Sequence, residues 1–166
     1  MTKNSLSMRT SLLLLLLVPV FVRADVGKPE PLSQFPQTTV TIATPDARLH
    51  HFKVWVADTH SRREQGLMFI EHMDEDTGML FVYSSAQRIA MWMKNTYIPL
   101  DMLFLREDGR ITRIVKRAKP ESLDIIDSNS EVIGVLELNG GIAEKLGIVP
   151  GAILSNAKLG RADKQP

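Results

Sequence analysis

The chain has 166 residues, of which 44% are apolar, 23% charged and 6% aromatic, and its formal charge is +1. This composition is typical of a globular protein, and the length suits one domain. Because the chain contains no cysteine, the sequence excludes a disulfide scaffold, a thiolate zinc site and a cysteine nucleophile. The apolar content also excludes a largely disordered tail protein.

The first 24 residues have the organisation of a signal peptide. Lys3 and Arg9 precede an apolar run over residues 12–22, and residues 22–24 (Val-Arg-Ala) match a cleavage site. The run is shorter than the roughly 20 residues that a membrane-spanning helix needs. We therefore expect a periplasmic or secreted protein whose signal peptide is cleaved, with no stable membrane anchor afterwards.

Removal of residues 1–24 changes the charge balance. It leaves 17 of the 20 basic groups against all 19 acidic groups, a net charge of about −2. Nucleic-acid binders usually carry a basic patch or run, which this chain lacks. We expect no nucleic-acid partner, and instead a small polar or anionic ligand or another protein as the partner of a monomer.

The remaining chain divides into a proline-rich extended leader at residues 25–37, a single globular β-rich domain at residues 38–159, and a polar tail at residues 160–166. Within the domain, apolar residues alternate with a period of two or form short continuous runs, both typical of strands. The predicted strands lie near residues 40–42, 52–56, 79–83, 90–93, 100–105, 111–115, 132–138 and 151–154. Turn residues at 44–48 and 107–109 predict two hairpins.

Only two segments have helical signals, and both are short. The first is capped by Asp58 or Thr59 and ends at Gly66, and the second is capped by Asn139 and ends at Gly147. Seven or eight strands with two short helices predict an α+β fold, a β-rich, barrel-like domain.

Five short motifs have a specific order and spacing along the chain. They resemble the domain-of-unknown-function 192 family, also called uncharacterised protein family 0127. The motifs are Arg63-x-x-Gly66-Leu67-Met68, Gly78-Met79-Leu80-Phe81, Trp92-Met93-Lys94-Asn95-Thr96-x-Ile98-Pro99-Leu100-Asp101, Glu137-x-Asn139-x-Gly141 and Gly147-x-x-Pro150-Gly151. The resemblance implies a small β-rich α+β domain in an exported or membrane-anchored protein, and it implies no established activity. Gln65 departs from the arginine found in many members.

The strongest polar cluster is Lys94, Asn95, Thr96 and Asp101, which surround Pro99 between two apolar strands. Polar groups at strand ends often hold small ligands. Lys94 could bind an anion, Asn95 could donate and accept hydrogen bonds, and Asp101 could orient Lys94 or act as a base. The structural alternative is that Asn95 and Thr96 bind the turn backbone while Asp101 pairs with Lys94 or Arg63.

Three further polar residues complete the predicted site. Glu137 shares a strand face with apolar residues, where an acid is costly unless paired, so either it meets Arg63 or Lys94 or its strand is already emerging into solvent. Arg63, on the first helix, could clamp a carboxylate ligand or tie the helix to a neighbouring loop. Asn139 follows Glu137 at the end of the same strand.

Methionine is a further compositional signal. Met91 and Met93 have the spacing of one strand face, with His72, next to Met73, as a possible additional ligand for copper(I). Methionine is equally a common filler of apolar cores, and we assign neither a metal site nor a cofactor.

The leading hypothesis is an exported accessory domain that binds a small polar or anionic ligand, or a protein partner, at a polar mouth around Lys94 to Asp101. One alternative is an enzyme in which Asp101 or Glu137 performs acid–base chemistry beside Lys94. Another is a methionine-based metal carrier.

Overall fold

A computed structural model describes residues 29–156. The predicted signal peptide and the predicted polar tail lie outside the described residues. The described chain forms one seven-stranded sheet with two short α-helices, which confirms the predicted β-rich, barrel-like α+β class. Within residues 29–156, no helix has the length and apolar character required to cross a membrane.

The elements follow one another with short connections. In chain order they are a 3-10 turn at Leu32–Gln34, β1 Gln37–Ala43, β2 Leu49–Ala57, α1 His60–Gln65, β3 Thr77–Met91, β4 Leu100–Leu105, β5 Ile111–Ala118, β6 Ile126–Asn139, α2 Ile142–Lys145 and β7 Ile153–Ser155.

The sheet has the strand order β5-β4-β6-β3-β2-β1-β7. Only the β2–β3 pair is parallel among these strands, and α1 lies in the connection between them. The sheet curls into a half-barrel, and its two ends approach each other at a bridge between Arg110 and Ile153. The backbone amide of Leu154 donates to the carbonyl oxygen of Gly109 at 2.8 Å beside this bridge.

Both predicted hairpins are present. Ala47, in the turn between β1 and β2, and Gly109, in the turn between β4 and β5, adopt φ angles of 65° and 78°. The two strands predicted at residues 79–83 and 90–93 are instead one long strand, β3. It continues because β6 is equally long and pairs with both halves of β3, with an irregularity between Val82 and Gln87.

The helices differ in how well their caps were predicted. Thr59 caps α1 as predicted, because its side chain accepts a hydrogen bond from the Arg62 amide. The prediction that Asn139 caps α2 is wrong: Asn139 is the last residue of β6, and Gly141, with a φ of 100°, is the N-cap. Asp101 takes the place of a local cap, because its carboxylate accepts hydrogen bonds from the amides of Gly141 and Ala143 at the start of α2.

The described part of the predicted leader packs on the domain. Phe35 is only 3% exposed, and the Arg62 guanidinium lies 5.4 Å from the centre of its ring. Glu30 forms an ion pair with Arg62 at 3.1 Å and exchanges two backbone hydrogen bonds with the side chain of Gln65. Residues 30–36 therefore belong to the folded unit, because they cover an apolar surface beside α1.

Apolar side chains pack on both faces of the sheet, which explains the continuous apolar runs in β3, β4 and β6. One cluster includes Leu80, Leu103 and Leu136 and is completed by α2. The other includes Phe81, Met102 and Val135. The second cluster is covered by residues 32–35 and by the loop that follows α1, and the candidate site lies at its edge.

Candidate functional site

A small pocket lies where α1, the end of β3, the following loop at residues 92–96 and β6 meet. The space in it that can hold the centre of a water-sized group is about 30 Å³, and about 10–15 Å³ of such space is enough for one water molecule. The pocket is lined by Arg63, Glu64, Gln65, Gly66, Leu67, Met68, Phe81, Met91, Trp92, Lys94, Thr96 and Glu137. It therefore brings together four of the predicted site residues: Arg63, Lys94, Thr96 and Glu137.

Glu137 is the only acidic side chain that is buried in this pocket. It is 3% exposed, and its strand neighbours on either side are Met79 and Met102. Among the described residues, no hydrogen bond or ion pair reaches its carboxyl group. Burial raises the pKa of Glu137 from 4.5 to about 8, so the group is largely protonated at neutral pH.

The structure agrees fully with neither of the two interpretations of Glu137. The strand does not emerge into solvent at this position, because Glu137 and the following Leu138 are both buried. The carboxyl group lines the same pocket as Arg63 and Lys94 but pairs with neither of them. Its pKa is therefore set by burial rather than by an ionic partner.

Tyr83 lies close enough to Arg63 and Glu137 for their charges to change its pKa. Burial is the main reason that the pKa of Tyr83 is raised, and the charge of Glu137 raises it further while that of Arg63 lowers it. The Arg63 guanidinium stands 4.9 Å from the centre of the Tyr83 ring.

Arg63 also has a structural role. Its Nη1 donates to the carbonyl oxygens of Asp58 and Val82 at 2.7 and 2.9 Å, so it ties the start of α1 to β3, as the structural alternative predicted. Lys94 is exposed, and its ammonium group lies 5.1 Å from the centre of the Trp92 ring. The pocket thus has two cations and the exposed Glu64 at its edge, and a neutral acid inside.

Two residues with a left-handed backbone are sequence neighbours of residues that line the pocket. Phe69 and Asn95 have φ angles of 65° and 55°, and the Phe69 amide donates to the Asn95 carbonyl oxygen at 2.8 Å. Such a conformation is costly for a bulky side chain such as Phe69, and strained residues tend to cluster at functional sites. The side-chain amide of Asn95 faces the Met68 sulfur at 3.8 Å.

Thr96 fulfils the structural alternative while it lines the pocket. Its hydroxyl donates to the Lys94 carbonyl oxygen at 3.3 Å, and its amide donates to the carbonyl oxygen of Met93 at 3.0 Å. These bonds close the turn after β3 and fix the position of Lys94 at the mouth.

Asp101 does not join the site. It is completely buried on the opposite face of β4 from Met102, because neighbouring residues of a strand point to opposite faces. Its carboxylate accepts hydrogen bonds from the backbone amides of Arg117, Gly141 and Ala143 at 2.8, 3.0 and 2.9 Å. It therefore binds the start of α2 and the end of β5, and neither Lys94 nor Arg63 is its partner.

Asn139 does not join the site either. Its side-chain amide donates to the carbonyl oxygens of Met73 and Asp74 at 2.8 and 3.0 Å. These bonds anchor the loop between α1 and β3, so Asn139 shapes the fold rather than the pocket.

The methionines are mostly part of the core. Met91 lines the pocket, whereas Met93 is completely buried in the apolar cluster. His72 is exposed and lies 3.5 Å from Asp74. Over the described range 29–156, histidine, aspartate and glutamate form no group of three that could hold a metal ion.

An exposed aromatic rim, defined as Phe69, Trp92 and Tyr97, is the feature that sequence reasoning missed. Each ring is 44–45% exposed, and Phe69 and Tyr97 make an edge-to-face contact at 6.1 Å. Trp92 and Tyr97 flank the predicted polar turn in the sequence. Large aromatic residues directly beside a polar turn are a signal that could have indicated the rim.

Two wider grooves lie elsewhere on the surface. One, of about 570 Å³, follows Gly109 and β7, and the other, of about 350 Å³, lies beside His50 and α2. Neither contains a predicted site residue or a buried acid, so the small pocket around Glu137 remains the candidate site.

Comparison with known proteins places this chain among uncharacterised relatives. Residues 41–155 match the model of domain-of-unknown-function 192, described as "Uncharacterized ACR". A search of curated proteins found none that matches.

The chain is similar to the crystal structures of two other proteins. A protein from Sinorhizobium meliloti, named as a candidate transcription regulator, is 46% identical, with a TM-score of 0.74 over 75% of this chain and 97% of that one. A protein of unknown function from Novosphingobium aromaticivorans is 32% identical, with a TM-score of 0.73 over 80% of this chain and 94% of that one.

Proposed function

The chain belongs to the domain-of-unknown-function 192 family, and we propose that it is an exported accessory domain that binds the polar or anionic end of a small ligand in the pocket around Glu137. The observation that carries the proposal is the buried, unpaired carboxyl group of Glu137 at the wall of this pocket. Of the residues predicted for the mouth, we therefore propose Arg63, Lys94, Thr96 and Glu137 as the ones that contact the ligand.

An unpaired polar group in an apolar environment is costly. A polar group that is buried without any hydrogen bond costs about 1–3 kcal/mol, and a leucine or methionine at position 137 would avoid that cost. Because the carboxyl group of Glu137 lines a pocket with space for a water-sized group, its hydrogen bond must come from what enters the pocket, and a polar ligand group can supply it. The neighbouring cations Arg63 and Lys94 support the same interpretation for an anionic ligand group.

A screen by thermal shift tests the proposal. Metabolites, peptides and glycans are tested first on the purified protein, and each stabilising compound is measured again on Glu137→Leu, Lys94→Ala and Lys119→Ala. A ligand of this pocket raises Tm of the wild type and of Lys119→Ala, an exposed lysine outside the pocket, and loses most of its effect on the other two. Compounds that stabilise Glu137→Leu as strongly as the wild type would place binding elsewhere.

A second candidate function is catalysis with Glu137 as a general acid. It is favoured by the raised pKa of Glu137, about 8, since an acid that holds its proton at neutral pH can donate it to a leaving group. Asp101 is not proposed as the base, because three backbone amides already occupy its oxygens. Turnover of a ligand from the screen, abolished in Glu137→Gln although binding persists, would favour the enzyme.

Export is the remaining part of the proposal, and it is supported by the signal-like pattern of residues 1–24. Expression of the full chain in a Gram-negative host tests it by fractionation and N-terminal sequencing. We expect a periplasmic product that begins at Asp25. A cytoplasmic product with an intact N-terminus would exclude export without affecting the ligand site.

A further inference from the structure

We propose that the ligand group held in this pocket is a carboxylate, bound by a hydrogen bond from the carboxyl group of Glu137 and by the positive charges of Arg63 and Lys94. This inference rests on the proposed ligand-binding function and specifies its ligand class. It follows from the size of the pocket, from the charges around it and from the apolar surface beside it.

The size of the pocket limits the group that can enter. The space that can hold the centre of a water-sized group is only about 30 Å³, which suits a small end group such as a carboxylate. Apolar side chains, with Leu67, Phe81 and Met91 among them, form part of the lining. The rest of the ligand must therefore remain outside, at the mouth.

The charges select the sign of the ligand. The ionisable groups around Glu137 are Arg63 and Glu64 on α1, Tyr83 on β3 and Lys94 on the following loop, while its neighbours on β3 and β4 are methionines. The Nη1 atom of Arg63 is occupied by two carbonyl oxygens, but its Nη2 and Nε and the whole ammonium group of Lys94 carry no hydrogen bond within the described range. With Glu137 neutral, the two cations Arg63 and Lys94 outnumber the one anion Glu64, so the net charge at this mouth is positive and favours an anionic ligand over a cationic one.

A protonated acid and a carboxylate make a strong pair. The O–H group of Glu137 donates to a ligand oxygen, and charge-assisted bonds of this type are about twice as strong as neutral ones. The proton stays on Glu137, so the pair carries a single negative charge, which the two cations offset. Two ionised carboxylates in the same place would repel each other.

The aromatic rim indicates what adjoins the carboxylate. Trp92 lines the pocket and is 44% exposed, and the Met68 side chain lines the same edge. An apolar or aromatic group next to the carboxylate would cover these side chains and bury apolar area. Such a carboxylate could be a free aryl or alkyl acid, or the C-terminus of a peptide with an apolar last residue.

The experiment compares probes that differ only in the head group. 3-Phenylpropionate, 3-phenylpropionamide and 3-phenylpropylamine are titrated into the full-length wild-type protein by calorimetry and by NMR at several pH values. The peptide Ala-Ala-Phe with a free C-terminus and the same peptide as its C-terminal amide form the second arm. Tighter binding of the peptide acid than of phenylpropionate would assign the pocket to peptide termini, and the reverse order to free acids.

We expect phenylpropionate to bind at least tenfold more tightly than the amide or the amine at pH 6.5. Because binding needs the protonated form of Glu137, affinity should fall about tenfold for each pH unit above about 8. Glu137→Gln should keep most of the affinity at pH 6.5, since its amide still donates, and lose the pH dependence. Lys94→Ala should weaken binding at every pH, and Lys119→Ala should change nothing.

Two outcomes would overturn the inference. If the amine binds best, with affinity that rises with pH, the pocket holds cations on an ionised Glu137, and the ligand-binding function survives without the carboxylate. If no probe shifts the resonances of Trp92 or Thr96 while another compound of the broader screen does, the ligand class is wrong and the site is right. Failure of every compound at these resonances would overturn both proposals.

Discussion

The two buried acids of the domain, Asp101 and Glu137, have opposite environments. The carboxylate of Asp101 accepts hydrogen bonds from three backbone amides, whereas no group among the described residues forms a hydrogen bond with the carboxyl group of Glu137. Both lie at strand positions where an acid interrupts an apolar pattern, so the sequence marks them equally. The difference arises from the chain segments that pack on each face: the start of α2 and the end of β5 bring backbone amides to Asp101, whereas the strand neighbours of Glu137 are the methionines Met79 and Met102.

Asp101 should be essential for stability and not for binding. In Asp101→Asn, one oxygen becomes an NH₂ group that faces a donor, and the charge that strengthens the other bonds is lost. Hydrogen bonds to charged groups contribute about 1.5–3 kcal/mol each, so we expect a loss of about 3 kcal/mol in the free energy of unfolding, measured in urea. The exposed Asp124→Asn is the matched control and should change stability by less than about 0.5 kcal/mol. A stable Asp101→Asn protein that binds no ligand would instead move Asp101 into the site.

Because the pKa of Glu137 is raised in the folded protein, the free energy of unfolding should fall as pH rises. The folded protein holds the proton of Glu137 up to a pH of about 8, while the unfolded chain releases it near the ordinary value for glutamate. The stabilising contribution is therefore complete below about pH 4.5 and is lost as pH rises to about 8, at about 1.4 kcal/mol per pH unit. Urea unfolding at pH 5 and pH 8 should show a loss in the wild type that is several kcal/mol larger than in Glu137→Gln. Equal losses would mean that Glu137 is ionised in the folded state.

At the scale of elements, local patterns predicted most strands and both helices. Strand β4 was predicted with its observed bounds, because Leu100–Leu105 is bounded by a proline turn and a polar hairpin. Strand β3 was divided into two, because residues 84–88 are mostly polar and exposed, and the long partner β6 resumes its pairing with β3 only at Gln87. The cap of α2 was misassigned because its amides are bound by Asp101, some 40 residues earlier. Long-range partners of this kind leave no local pattern.

The predicted site residues also differ in whether the local sequence could place them correctly. Arg63, Lys94, Thr96 and Glu137 were predicted as site residues from their types and their positions at element ends. Asp101 and Asn139 were included because they are neighbours in sequence, and the structure turns both away from the pocket. Sequence proximity at a strand end does not specify the face of the sheet when the register and the packing segments are unknown.

The leader segment should contribute to stability as an element of the fold. A chain that starts at Pro29 keeps Phe35 buried and the bond from the Val56 amide to the Pro36 carbonyl oxygen, whereas one that starts at Thr38 loses both. Removal of a buried phenylalanine side chain costs about 3–5 kcal/mol, so the shorter chain should unfold at clearly lower urea concentration. Phe35→Ala in the longer chain should reproduce most of the loss. If both chain lengths unfold at the same midpoint, the domain begins at residue 38.

At the scale of the whole molecule, the half-barrel depends on a small contact between its two ends. Beyond the Arg110–Ile153 bridge, the amide of Ile111 donates to the Ala152 carbonyl oxygen at 2.9 Å, and that of Gly151 to the Ile111 carbonyl oxygen at 2.8 Å. Strand β7 has only three residues and pairs with β1 on its other side. These few bonds join the first and last strands of the sheet order, and with them the two halves of the sheet.

Gly109→Ala should disrupt this contact between the two ends of the sheet. A methyl group at Gly109 would overlap the carbonyl oxygen of Leu154, whereas one at Gly151 would meet no atom within 4 Å, although both glycines have positive φ angles, 78° and 99°. Backbone strain alone costs about 1–3 kcal/mol and applies to both variants, so Gly151→Ala serves as the matched control. We expect the larger loss of unfolding free energy in Gly109→Ala, together with faster hydrogen exchange at the Leu154 amide, which donates to Gly109. Equal losses and unchanged exchange would show that the sheet is held together without this contact. Ligand binding at the pocket around Glu137 should persist in the folded fraction of both variants, because neither glycine lines that pocket.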